Sequence, residues 1–235
     1  MRVMLLRLLG GPLLCFGGVA IDDVLRTDEW MSRSQLAGTI GSAQGLDVTD
    51  RQAAGKLTRL QARLRYAMRQ DNPGKRITDL VQASLVGSPH YRSHFVGNTF
   101  TDHFVTNKAL RLRHKEYLSG ADYWVAVHLQ PADESPTLDE IAKSLRAPER
   151  TLYVGRLCCI PADRIFQRIV EADCLADALR QVPCPLAHPK YAWMDGDDHA
   201  GFPASSRARE LRAYGDRDWR HNVHTGHYVL KEASL

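Results

Sequence analysis

The sequence predicts an α+β fold of ferredoxin-like order, β-α-β-β-α-β, with an inserted β-hairpin, and three observations predict it. The apolar run at residues 3–9 meets Gly10-Gly11-Pro12 and leads through a long loop to a helix at 30–41. Residues 62–69 alternate, and residues 121–129 form a second β-rich run. Thr137-Leu138-Asp139-Glu140 spells a capping box for a second helix carrying Leu138, Ile141, Ala142 and Leu145, followed by a strand at 151–156.

The elements follow in chain order. After the first strand, the helix start carries Arg33 and Ser34, where free N–H groups favour an anion and Arg33 adds a fork suited to phosphate. In the next strand Ala62, Leu64, Tyr66 and Met68 share one face, and Arg63, Arg65, Ala67 and Arg69 the other, which predicts three arginines turned to solvent. Asp71-Asn72-Pro73-Gly74 is a turn from which residues 77–86 return as a strand. Residues 87–112 form an extended hairpin in which Tyr91, Phe95, Phe100 and Phe104 can stack on unpaired bases while Arg92 and Lys108 meet phosphates. A helix at 172–181 and a strand at 228–230 complete a smaller C-terminal part.

With 235 residues and 44% hydrophobic content, the chain can bury a sizeable core. Its net charge of +4 is uneven: residues 51–118 carry +9, against −2 before and −3 after. That distribution suits a nucleic-acid backbone. Arg7 and Gly10-Gly11-Pro12 interrupt the N-terminal apolar run before it serves as a secretory signal, and no segment reaches the length of a membrane span. Five cysteines with no C-x-x-C spacing fit free thiols in a cytoplasmic protein. His221, His224 and His227 recur every three residues, but no cysteine or carboxylate nearby completes a metal set, and a structural or RNA-contacting role is preferred.

These residues also carry a resemblance. A Gly-Pro loop after the first strand, Arg26-Thr27, Trp30-Met31-Ser32-Arg33-Ser34, Lys115-Glu116-Tyr117-Leu118 before Gly120-Ala121-Asp122, and Leu152-Tyr153-Val154-Gly155-Arg156 together resemble the Cas-five family, nearest its CasD type from type I-E Cascade. The resemblance spans about residues 3–160. It implies a ferredoxin-like (RRM-like) palm at 1–165 with a β-hairpin thumb at about 87–112, while residues 166–235 read by themselves as a smaller C-terminal wrapping subdomain. It further implies a non-catalytic subunit that grips the 5′ handle of CRISPR RNA (crRNA) and caps the foot of the Cascade backbone filament. Its partners would then be the backbone and large subunits and the target DNA held by the assembled complex, with no cofactor, metal or membrane.

The implied RNA contacts are Arg26, Ser32, Arg33 and Ser34 along the handle, the thumb, Lys115, and Arg156 after the Tyr-x-Gly signature. Gln35 stands where the family has glycine. A second function class is a metal-independent endoribonuclease acting on repeat RNA, for which His114, Lys115 and Tyr117 are the candidate residues. An extended backbone there sends His114 and Lys115 to opposite faces.

Overall fold

The computed structural model describes residues 1–17, 24–84, 110–202, 208–213 and 215–234. Its strands are β1 (Arg2–Leu9), β2 (Leu13–Leu14), β3 (Phe16–Gly17), β4 (Val24–Leu25), β5 (Thr27–Asp28), β6 (Leu64–Asn72), β7 (Lys75–Ser84), β8 (Leu110–Ser119), β9 (Asp122–Leu129), β10 (Phe166–Glu171), β11 (Lys190–Met194), β12 (Arg209–Ala213), β13 (Arg217–Asp218), β14 (Val223–His224) and β15 (Tyr228–Ser234). The helices are α1 (Arg33–Ala43), α2 (Arg51–Arg63), α3 (Leu138–Arg146) and α4 (Leu175–Arg180). The fold is mixed α and β, with mostly antiparallel sheets.

The main sheet has the order β10-β1-β9-β6-β11-β15-β12, and every neighbouring pair is antiparallel. Both faces are covered, so its central strands are apolar almost throughout. Met4, Leu6 and Leu8 of β1, with Tyr66 and Met68 of β6 and Val125 and Val127 of β9, pack against Leu36 and Ile40 of α1, Leu57 and Leu60 of α2 and Ile141 of α3. Val3, Leu5, Ala67 and Ala126 face the other way, toward Leu175, Ala178 and Leu179 of α4 and toward Tyr191 and Trp193.

The helices start where their caps dictate. The Ser32 Oγ accepts from the Gln35 N–H, and an Asp50 carboxylate oxygen accepts from the Gln52 N–H. Both bonds of the Thr137–Glu140 capping box are made. Buried Ala53, Ala54, Leu57, Leu60 and Gln61 mark a helical period for α2. That period runs through Arg63, so the strand predicted from residue 62 begins at Leu64.

Three other expectations are corrected. Residues 151–156 form a loop, and the strand beside β1 is β10. The segment returning from the turn at Pro73-Gly74 pairs with β8 in unbroken register from Lys75↔Ser119 to Ser84↔Leu110, leaving β6 to β9 and β11. These two strands flank residues 85–109, so the hairpin expected at 87–112, with Tyr91, Arg92, Phe95, Phe100, Phe104 and Lys108, falls up to residue 109 on residues outside those described. Finally, β10, β11, β12 and β15 belong to the same sheet as β1, so residue 165 marks no boundary in it.

The solvent-facing arginine row is also overturned, because α4 and the chain after it cover that face of β6. Arg69 is 1% exposed and chelates Asp71. Arg63, at the end of α2, is 4% exposed and donates to the carbonyl oxygens of Pro131, Glu134 and Pro136. Arg65 is half-buried and donates to the Ala62 and Leu64 carbonyls.

Candidate nucleic-acid interface

A groove of about 780 Å³ opens over the face of α1 that carries Ser32, Gln35, Gly38, Thr39 and Ser42. Small and polar side chains at these helical spacings leave room above the helix. The loop at 150–156 forms one wall and residues 217–224 the other. Arg26, Arg150, Arg156 and Arg217 all line the groove, and no Asp or Glu does among the described residues.

The first wall rests on a backbone approach that only glycine permits. Gly155 has φ +94°, and a Cβ there would lie 2.0 Å from the Cys15 carbonyl oxygen. The Cys15 N–H donates to the Val154 carbonyl at 3.1 Å. Opposite that contact, the Gln35 amide donates to the Cys15 carbonyl at 2.8 Å and accepts from the Gly17 N–H at 3.2 Å. Gln35 thus completes the floor with its side chain. The exposed Arg26 stands at the mouth, after β4. Arg150 reaches from its loop to the Gly45 and Leu46 carbonyls, 3.6 Å from Asp47.

Arg156 lines the groove, but its guanidinium is a tie. It donates to the Glu116 carbonyl at 2.7 Å and the Leu25 carbonyl at 2.8 Å, and it lies over the Tyr117 ring. The second wall stands on Gln61 of α2. Gln61 accepts from the Arg217 N–H and the Trp219 Nε1–H and donates to the Arg217 carbonyl. Gly38 lets the Trp219 ring press on α1, since a Cβ there would be 3.1 Å from it.

The anion site expected at the start of α1 is filled by the chain itself. The Arg33 N–H donates to the Tyr228 hydroxyl at 2.8 Å, and the Ser34 N–H to the Gly215 carbonyl at 3.1 Å. The Arg33 guanidinium donates to both Asp216 carboxylate oxygens at 2.7 Å and lies over the Tyr228 ring. Ser34 is buried, while Ser32 caps the helix at the groove's edge. Arg33→Ala should therefore cost about 1.5–3 kcal/mol of stability by removing a charge-assisted pair. It should leave the salt dependence of nucleic-acid binding unchanged; denaturant titration and binding isotherms at several salt concentrations check both.

Of the expected residues, Arg26, Ser32, Ser34 and Arg156 converge on this groove, whereas Arg33, Arg63 and Arg69 are engaged elsewhere. Arg150, Tyr153, Arg217 and Trp219 were not anticipated there; the Asp-Arg-Asp-Trp-Arg run at 216–220 held the sequence signal for two of them.

The ribonuclease candidates do not share a face. In the unbroken β8 register, His114 faces one way and Lys115 and Tyr117 the other. Burial pushes the Tyr117 phenol up, and its hydroxyl sits 3.6 Å from the Cys158 Sγ. Burial also pushes the Cys159 thiol up, to about 12, which keeps it protonated at neutral pH. Among the three histidines, His221 Nδ1 pairs with Asp218 Oδ2 at 2.6 Å.

Comparison with known proteins places this geometry. The chain is 26% identical over 173 residues to the CRISPR system Cascade subunit CasD of Escherichia coli (strain K12), covering 74% of each protein. Its fold matches a chain of a CRISPR RNA-guided surveillance complex with TM-score 0.70 at 22% identity, over 99% of this chain and 89% of that one. It matches a crystal structure of a Cas protein with TM-score 0.61 at 19% identity, over 99% and 94%. The family profile described as CRISPR-associated protein (Cas_Cas5) matches residues 4–228, from β1 into β15, and the chain belongs to the Cas5 family of CRISPR-associated proteins.

Proposed function

We propose that the chain is a non-catalytic RNA-binding subunit of a CRISPR RNA-guided surveillance complex, and that the groove over α1 grips the single-stranded 5′ handle of the crRNA. The observation that carries this reading is the groove itself, lined by four arginines and no carboxylate among the described residues. Cations along a cleft follow a phosphate backbone, and a cleft of this shape admits unstacked nucleotides.

The spatial order β10-β1-β9-β6, from strands that run β1, β6, β9, β10 in sequence, supports a ferredoxin-like palm. On that reading β7 and β8 are the root of the thumb, and β11, β12 and β15 widen the palm. The chain would cap the foot of a backbone filament beside a large subunit and contribute to crRNA-guided recognition of target DNA. A cytoplasmic location fits these partners; no helix among the described residues is long and apolar enough to cross a membrane. The opposed directions of His114 and Tyr117 support binding without cleavage.

The test incubates the purified chain with repeat-derived RNA in EDTA and resolves it on native and denaturing gels. The expected result is a shifted, intact RNA. Arg26→Gln with Arg150→Gln should reduce the slope of log K against log salt by up to about 1.4, about 0.7 for each phosphate that is no longer neutralised. Specific cleavage abolished by His114→Ala would reverse the assignment to an endoribonuclease, and an unchanged slope would remove the groove from the RNA path.

A further inference from the structure

The two walls of the groove differ in chemistry. On the first, Arg150 and Arg156 donate to main-chain carbonyls, those of Gly45 and Leu46 and those of Glu116 and Leu25. On the second, Arg217 stands between Asp216, whose carboxylate is held by Arg33, and Asp218, whose carboxylate is held by His221 and the loop N–H groups. Its guanidinium lies over the Trp219 ring, with Cζ 5.1 Å from the ring centre, and its Nη2 donates to the Asn222 Oδ1. The β13–β14 hairpin then places His224 directly opposite Arg217 in the ladder. Arg217, Trp219, Asn222 and His224 all line the groove.

The hairpin is fixed before any ligand arrives. Gln61 grips Arg217 and Trp219 from below, and the Thr225 N–H closes on the Asp216 carbonyl at 2.9 Å. The Asp218 carboxylate accepts from the Arg220 and His221 N–H groups and turns the loop. Trp219 is itself covered, 4% exposed, with Gly38 beneath it. Arg217 is half-buried, lies over that ring and lines the groove.

A guanidinium lying over an indole and held by the Asn222 amide presents a plane on which a flat ring can stack. We propose that Arg217 is the stacking platform for one unstacked RNA base, and that Asn222 and His224 lie at that base's edge. The inference rests on the groove being the RNA path, and it adds the residue at which a base is held there.

The probe is a single-stranded RNA carrying the repeat-derived 5′ segment, with a series in which each nucleotide in turn is made abasic. Affinity is measured for the full chain at several salt concentrations. Arg217→Ala should weaken binding roughly 5- to 100-fold, the range of one base stack, with the salt slope unchanged. One abasic position should weaken wild type and leave Arg217→Ala unaffected. Arg217→Lys keeps the charge without the plane and should bind as poorly as Arg217→Ala.

A slope reduced by about 0.7 with affinity restored in Arg217→Lys would make Arg217 a phosphate contact and overturn the proposal. So would unchanged affinity in Arg217→Ala while Arg26→Gln with Arg150→Gln still weakens binding, an outcome that leaves the groove standing. If that double variant also binds normally, the groove reading is what fails. Should Arg217→Ala not fold, Asn222→Gly serves instead. Asn222 has φ +58°, which glycine adopts freely, and only the amide that holds the guanidinium is removed. An abasic profile identical to wild type in that variant would also overturn the proposal.

Discussion

Replacing Arg69 by alanine is expected to destabilise the fold by about 3–5 kcal/mol, the cost of stranding one partner of a buried ion pair. The Arg69 Nε and Nη2 donate to the two Asp71 carboxylate oxygens at 2.6 and 2.8 Å. Nη1 donates to the Leu179 and Val182 carbonyls at 2.7 and 2.9 Å, and Nη2 also to that of Pro183. These carbonyls lie at and just beyond the end of α4, where a helix lacks intrahelical donors. One side chain of β6 thus caps the helix on the sheet's second face and neutralises a buried carboxylate. Arg69→Lys should recover only part of the loss, because an ammonium cannot form the planar fork. Urea unfolding measures the change. A midpoint within experimental error of wild type for Arg69→Ala would show that the pair contributes little and that α4 is held by its apolar contacts alone.

Arg69 also shows where sequence reading stops. The alternation at 62–69 correctly separates Leu64, Tyr66 and Met68 from Ala67 and Arg69, since a strand's period is a local property. What lies on each face is not local. The acceptors that bury Arg69 come from residues 110 to 114 positions away, those of Arg63 from 68 to 73 away, and the partner of Arg33 from 183 away. The positive balance of the middle third therefore marked two arginines that bind carbonyls inside the fold.

Elements with plain sequence signals were legible: β1, the helix α1 after the long loop, α3 with its capping box, and α4 near its predicted place. Pairing was harder. The turn at Pro73-Gly74 suggested a hairpin between β6 and β7, but β6 satisfies both edges with β9 and β11, and β7 finds β8 across a long insertion. The same limit applies to the groove. Arg26, Ser32 and Arg156 could be named from the family resemblance. Arg150 and Arg217 join them only because loops far apart in sequence meet over α1.

The glycine of the Tyr-x-Gly signature has a structural reason, and Gly155→Ala is expected to be the most damaging single-methyl change in the groove. At φ +94° an alanine is strained, at a cost of about 1–3 kcal/mol. Its Cβ would also sit 2.0 Å from the Cys15 oxygen and 2.9 Å from its carbonyl carbon, which are backbone atoms that cannot rotate away. Relieving that overlap adds about 1–3 kcal/mol. The loop must retreat from residue 15, which stretches the Cys15 N–H bond to Val154 and displaces Arg156 from the Glu116 and Leu25 carbonyls. Because Arg156 joins β4 to β8, RNA affinity should fall together with stability. Gly17→Ala is the matched control: it lines the same groove, but nothing lies within 4 Å of its added Cβ, so its stability should stay within about 0.5 kcal/mol of wild type. Denaturant unfolding and RNA titration of the two variants side by side make the comparison. If Gly155→Ala is as stable as Gly17→Ala, the close approach to Cys15 is not what the signature glycine secures.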